Sequence, residues 1–140
     1  MGVLLILTAC GGPDISDKKV KKEYFTGGQL KSEFIMDDDS GKNGILKRYG
    51  YNGKVTSTVQ INNGVKNGME TLYDPEGRAL RKVPYVNGRI HGNAKEFYPN
   101  GDVFRSWMYD KGEKEGMAYS YNKNGTVHSK LLFKNDKAVR

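Results

Sequence analysis

The chain is poor in the residues that build catalytic and metal sites. In 140 residues it has one cysteine, two histidines, one tryptophan and four prolines. A single cysteine excludes an internal disulfide and any Cys-His zinc pattern. With only His91 and His128 to serve as imidazole bases, nothing places a nucleophile, a base and an orienting group together. A phosphate-cradling Gly-rich loop followed by Lys-Ser/Thr is also missing. No segment approaches the roughly 20 apolar residues of a membrane-spanning helix. Apolar residues make up only 36% of the chain and no helical apolar stripe runs through it, which fits a thin single layer better than a globule. These absences argue against an enzyme, including a hydrolase of envelope polymer, and no cofactor or metal is expected.

What the chain does have is a period. Gly44, Gly68, Gly92 and Gly116 fall 24 residues apart, as do Gly53, Gly77, Gly101 and Gly125 and the rings of Tyr49, Tyr73, Phe97 and Tyr121. Val55, Ala79, Val103 and Val127 keep the same period. So do Val59, Val83, Trp107 and Leu131, and Ile61, Tyr85, Tyr109 and Phe133. A further column runs through Gly64, Gly88, Gly112 and Asp136. An earlier copy, Val20, Tyr24, Gly28, Leu30, Phe34 and Met36, is offset by 25 residues, with the extra residue in the loop Asp37-Asp38-Asp39-Ser40-Gly41-Lys42-Asn43. A fixed period of this size marks an array of one supersecondary unit.

The unit reads as a β-hairpin. Runs such as Val55-Thr-Ser-Thr-Val59-Gln-Ile61 alternate with strand period, and a turn separates each from an earlier run of strand length. Pro75 and Pro99 suit the second position of a type I turn, and the glycine two residues later suits a left-handed bulge. A three-residue loop then pairs Tyr49 with Val55, Tyr73 with Ala79, Phe97 with Val103 and Tyr121 with Val127. Carried along the strands without interruption, it pairs Ile45 with Val59, Met69 with Val83 and Met117 with Leu131, placing the apolar rows on one face. The predicted fold is all-β: an elongated antiparallel meander of about five hairpins over residues 18–140.

The pattern Gly-x4-Tyr-x3-Gly-x-Val with a later Tyr-x-Asn-Gly resembles the MORN-repeat variant of bacterial proteins often labelled as the YwqK-type antitoxin family. Tyr85-Val-Asn-Gly88 and Tyr98-Pro-Asn-Gly101 carry the resemblance best. It implies hairpin-repeat sheets and association with protein or membrane.

A second resemblance lies at the N-terminus. Leu7-Thr8-Ala9-Cys10 is similar to a bacterial lipobox, which implies a signal segment over residues 1–9 and lipid on Cys10. Residues 10–17, rich in Gly and polar groups, read as a flexible tether. No Lys or Arg precedes Cys10 and the apolar run is short, a departure from the usual signal. Gly11 is not the Asp that retains lipoproteins at the inner membrane, so the outer membrane is expected if the source has one.

The net charge of +7 favours anionic lipid or polymer, or a protein partner, and nucleic acid is not expected. In the uninterrupted register Lys95 lies opposite Arg105, with Arg81 beside them, giving a candidate anion site. Leu72, Leu80, Phe104 and Met108 fall on the otherwise polar face as a candidate partner patch. The acidic loop Asp37–Asp39 lacks EF-hand spacing and reads as solvated. His91 falls in the inter-hairpin column with Asn43, Asn67 and Glu115. The sequence thus points to a non-enzymatic, lipid-tethered binding or scaffolding surface at the bacterial envelope. The alternative is an antitoxin or immunity-type protein acting by protein–protein contact.

Overall fold

The computed structural model describes residues 18–140. Cys10, the signal segment and the tether lie outside the described residues. Within them the chain is all-β, with no helix, and forms one open antiparallel sheet. Five hairpins follow one another: β1 (Val20–Tyr24) with β2 (Leu30–Met36), β3 (Gly44–Tyr49) with β4 (Val55–Asn62), β6 (Gly68–Tyr73) with β7 (Ala79–Val86), β9 (Gly92–Phe97) with β10 (Val103–Asp110), and β12 (Gly116–Tyr121) with β13 (Val127–Lys134). Short strands β5 (Val65–Lys66), β8 (Arg89–Ile90), β11 (Glu113–Lys114) and β14 (Lys137–Val139) follow the turns that join or end the hairpins. Neighbours in sequence are neighbours in the sheet, so each unit stacks only on adjacent ones.

The hairpin tips have the predicted turn. The Gly53 N–H donates to the Gly50 carbonyl at 2.9 Å, the Gly50 N–H donates to the Lys54 carbonyl, and Gly53 has φ of 75°. Equivalent bonds recur at the tips ending in Gly28, Gly77, Gly101 and Gly125. Tyr49 pairs with Val55, Tyr73 with Ala79, Phe97 with Val103 and Tyr121 with Val127, as the three-residue loop requires.

The uninterrupted register does not hold beyond that pair. A second bulge follows at Thr56, Leu80, Phe104 and His128, and at Lys31 in the first hairpin. Leu46, not Ile45, opposes Val59; Glu70, not Met69, opposes Val83; Ala118, not Met117, opposes Leu131. One extra residue flips every later side chain to the other face. The rings of Tyr49, Tyr73, Phe97 and Tyr121 therefore share one face with their tip partners, and Val59, Val83, Trp107 and Leu131 occupy the opposite one. The two faces are called here the ring face and the core face.

The core face is thin. Its fully shielded apolar residues are Val59, Val83 and Ala94, exposed by 2%, 3% and 0%. Glu70 interrupts the central row, held by Lys66 Nζ at 2.7 Å and Arg48 at 3.8 Å. The Lys114 ammonium lies over the rings of Trp107 and Phe133, 5.8 and 5.1 Å from their centroids.

The first two hairpins are joined by the loop 37–43; the later connections are two-residue turns with both residues at positive φ, such as Asn63 (50°) and Gly64 (80°), and Asn87 (47°) and Gly88 (82°). That is type I′ geometry, which Asn-Gly favours. Each turn is stitched to the unit before it. The Asn63 N–H donates to Asn43 Oδ1, the Asn87 N–H to Asn67 Oδ1 and the Asn135 N–H to Glu115 Oε2, while the Lys111 N–H approaches His91 Nδ1 at 3.4 Å. His91 is not itself in a turn but at the junction of β8 and β9, and it also lies 3.2 Å from Asp110 Oδ1.

Candidate functional site: a lysine lane beside a row of rings

The second bulge redistributes the predicted site residues. Arg81 and Arg105 are both on the core face, each pairing with Glu96, which lies between them. Lys95 has the opposite parity and pairs with Lys82 and Ser106 on the ring face. The lane of Arg81, Lys95 and Arg105 therefore does not assemble, and the two arginines already have a carboxylate between them. Leu72, Leu80, Phe104 and Met108 do not form one patch either. Leu72 pairs with Ser57 and Arg81 on the core face, and Met108 is on the ring face opposite Asn93. Leu80 and Phe104 are bulge residues; the Phe104 ring packs 4.9 Å from that of Tyr98 and 4.4 Å from the Arg105 guanidinium.

A different lane does assemble. Directly paired residues across the ring face read Lys22, Glu33, Lys47, Thr58, Thr71, Lys82, Lys95, Ser106, Tyr119 and Lys130. Five of these ten carry positive charge and Glu33 is the one carboxylate. Alongside runs the row of Tyr49, Tyr73, Phe97 and Tyr121. Like charges directly opposite, as at Lys82 and Lys95, are unfavourable in a sheet.

Three clefts open between this lane, the rings and the hairpin tips. The first, about 470 Å³, is lined by Lys47, Val55, Thr58, Tyr73 and Pro75. The second, about 380 Å³, is lined by Ala79, Lys82, Phe97 and Pro99. The third, about 460 Å³, is lined by Lys95, Val103, Ser106, Tyr121 and Lys123. Val55, Ala79 and Val103 are 24 residues apart, as are Tyr73, Phe97 and Tyr121, so the clefts are one feature repeated. Each spans two neighbouring hairpins, so adjacent clefts lie roughly 9.4–9.8 Å apart, two strand spacings.

The matching place between the first two hairpins is filled from within. There Glu33 stands in the column of Thr58, Lys82 and Ser106. Tyr49 Oη donates to Glu33 Oε2 at 2.6 Å, and Lys22 Nζ lies 3.4 Å from Oε1. The Tyr49 hydroxyl, helped by Lys22, holds the Glu33 carboxyl below its usual range. Burial, with the adjacent carboxylate, pushes the Tyr49 phenol up to about 12. In the next copy Tyr73 Oη has only the Thr58 hydroxyl, at 3.2 Å. In the one after, Phe97 carries no hydroxyl and Lys82 Nζ lies 5.7 Å over its ring.

The acidic loop is tied to its own surroundings. Asp37 pairs with Lys18 at 2.9 Å and accepts from Gln60, Asp38 accepts from Ser40 and Asn43, and Asp39 pairs with Lys19. Among the described residues no helix is long and apolar enough to cross a membrane.

Solved structures that align include a mutant of S. aureus TarM in complex with fondaparinux, alpha-GlcNAc-glycerol and UDP, and TarM itself. Each is 11% identical over 87% of this chain and 22% of the other, with TM-scores of 0.41 and 0.40. The chain thus spans about a fifth of those proteins, and a likeness this weak carries no argument. No curated protein matches. The family model "MORN repeat variant" matches twice, over residues 90–111 and 114–135. Those two segments run from β8 through β10 and from β11 through β13, and the glycine and ring columns continue the same period toward the N-terminus. The described residues form a hairpin-repeat array, and its segments 90–111 and 114–135 are similar to the MORN repeat variant.

Proposed function

We propose that this chain is a non-enzymatic binding surface, tethered to a membrane of the bacterial envelope by lipid on Cys10. The observation that carries the binding role is the single open layer. A sheet with neither face covered by a second layer leaves both rows of side chains to a partner. Its repeats give an extended surface rather than one enclosed pocket, the usual way such arrays bind. The tethering rests on the lipobox-like Leu7-Thr8-Ala9-Cys10 and its Gly-containing tether. More than one acyl chain gives stable anchoring where one does not. Palmitate labelling and fractionation test the anchor: Cys10→Ser is expected to lose label and move to the soluble fraction. A pull-down from cell envelopes tests the binding role and is expected to recover a partner. An unlabelled Cys10 with a cytoplasmic protein partner would favour the antitoxin or immunity-type reading instead.

A further inference from the structure

We infer that the ring face binds an extended acidic polypeptide in polyproline II form, laid across the repeats with one carboxylate in each cleft. The inference deepens the binding role just proposed and rests on it. Three observations point to this ligand.

The first is the internal occupant. Glu33 places a carboxylate in the lane between Lys22 and Lys47, under the Tyr49 hydroxyl. The chain therefore demonstrates the contacts that its own ring and lysine columns make with a carboxylate. The three following copies keep an aromatic ring and put Thr58, Lys82 and Ser106 where the carboxylate stood, flanked by Lys47 and Thr71, Thr71 and Lys95, and Lys95 and Tyr119, so each keeps one flanking lysine.

The second is charge. Lys82 and Lys95 pair directly, with no carboxylate in that stretch of the lane. Their repulsion when empty is relieved by an anion. The clefts add Lys47, Lys54 and Lys123; their own carboxylates, Glu76 in the first and Asp102 in the third, are taken up by Arg78 and by the Asn100 amide. Arg78 lines the second cleft but is committed to Asp74 at 2.6 Å and Glu76 at 3.1 Å, so it is not counted.

The third is spacing. Adjacent clefts lie roughly 9.4–9.8 Å apart. A polyproline II chain rises about 3.1 Å per residue with three residues per turn, so every third residue returns to the same side after about 9.3 Å. Its carbonyls make no internal hydrogen bonds and are open to lysine and tyrosine donors. Aromatic clefts are the usual receivers of its proline rings. An extended strand is a poorer match, since side chains on one face recur every two residues, about 6.6–6.8 Å.

The test uses the full chain and a fluorescent peptide with glutamate at every third position of a proline background. The comparison peptide has the same composition with its glutamates clustered. Anisotropy is expected to show the periodic peptide binding at least several-fold tighter, with binding that weakens as salt rises. The double variant Lys82→Gln, Lys95→Gln is expected to bind about tenfold more weakly. A charge-matched change of Lys42 and Lys137 to Gln, in the loop and the last short strand, is expected to have little effect. Equal binding of the two peptides, or equal losses from the two double variants, would show that only net charge matters and overturn the proposal. Binding of polygalacturonate but not peptide would overturn it in favour of an anionic glycan. No binding of the periodic peptide at low salt, with the sheet intact by circular dichroism, would also overturn it. In either of the last two cases an envelope pull-down that still recovers a partner would leave the broader binding role standing.

Discussion

Replacing Tyr49 with Phe removes one hydroxyl and nothing else from the filled place between the first two hairpins. That hydroxyl donates to Glu33 at 2.6 Å, and the Glu33 side chain is 19% exposed. A hydrogen bond to a charged group contributes about 1.5–3 kcal/mol, and partial exposure sets the expectation at the lower end, ~1–2 kcal/mol at neutral pH. For a domain of this size that is roughly 3–8 °C in Tm. The pH dependence follows from the two shifts. The Glu33 pKa is lowered on folding, so its contribution is present above the ordinary value of 4.5 and is lost as pH falls through the lower folded value. The Tyr49 pKa is raised from 10.0 to about 12, so its contribution is present below 10.0 and lost as pH climbs toward 12. Wild type minus Tyr49→Phe should therefore show a plateau in between that shrinks on both sides. Urea unfolding at several pH values measures it, with NMR titration of the Glu33 carboxyl as the direct reading. A double-mutant cycle with Glu33→Gln should return a coupling near the same magnitude. A stability difference that stays flat from neutral pH into acid, or no upward movement of the Glu33 titration in Tyr49→Phe, would refute the account and weaken the internal-carboxylate argument for the empty clefts.

Two further substitutions probe the scaffold. Gly44→Ala should be more damaging than Gly116→Ala, read by thermal unfolding. Both glycines have positive φ, at 157° and 96°, which costs an alanine about 1–3 kcal/mol, but a Cβ on Gly44 also runs into the Ile35 carbonyl oxygen, while one on Gly116 only touches Met108 Cβ at 3.7 Å. Asn67→Ala removes the acceptor that the Asn87 N–H meets at 3.0 Å and should cost about 0.5–1.5 kcal/mol, with faster amide exchange at Asn87 as the local signature.

Much of the architecture is legible in the columns. The period of glycines and rings reports the repeated hairpin, because each unit must solve the same turn and pairing problem. Pro75 and Gly77 specify the tip turn because proline fixes one φ and glycine alone freely adopts the other. The turns at Asn63-Gly64 and Asn87-Gly88 carry an equally clear I′ signal, although the stitching of those turns onto Asn43 and Asn67 depends on stacking between units.

The faces were decided only by the folded sheet. Thr56, Leu80, Phe104 and His128 share no side-chain chemistry, so nothing in their composition marks them as an extra residue in the strand. Yet that one residue decides the site. It sends Val59, Val83 and Trp107 to the core face, sets Glu96 between Arg81 and Arg105, and brings Lys82 beside Lys95 under the rings. Strand side chains alternate with a period of two, so a one-residue bulge reverses every assignment beyond it. The repeat itself follows from local sequence, whereas the lysine lane depends on backbone hydrogen bonds between strands, whose register the residue types alone do not fix.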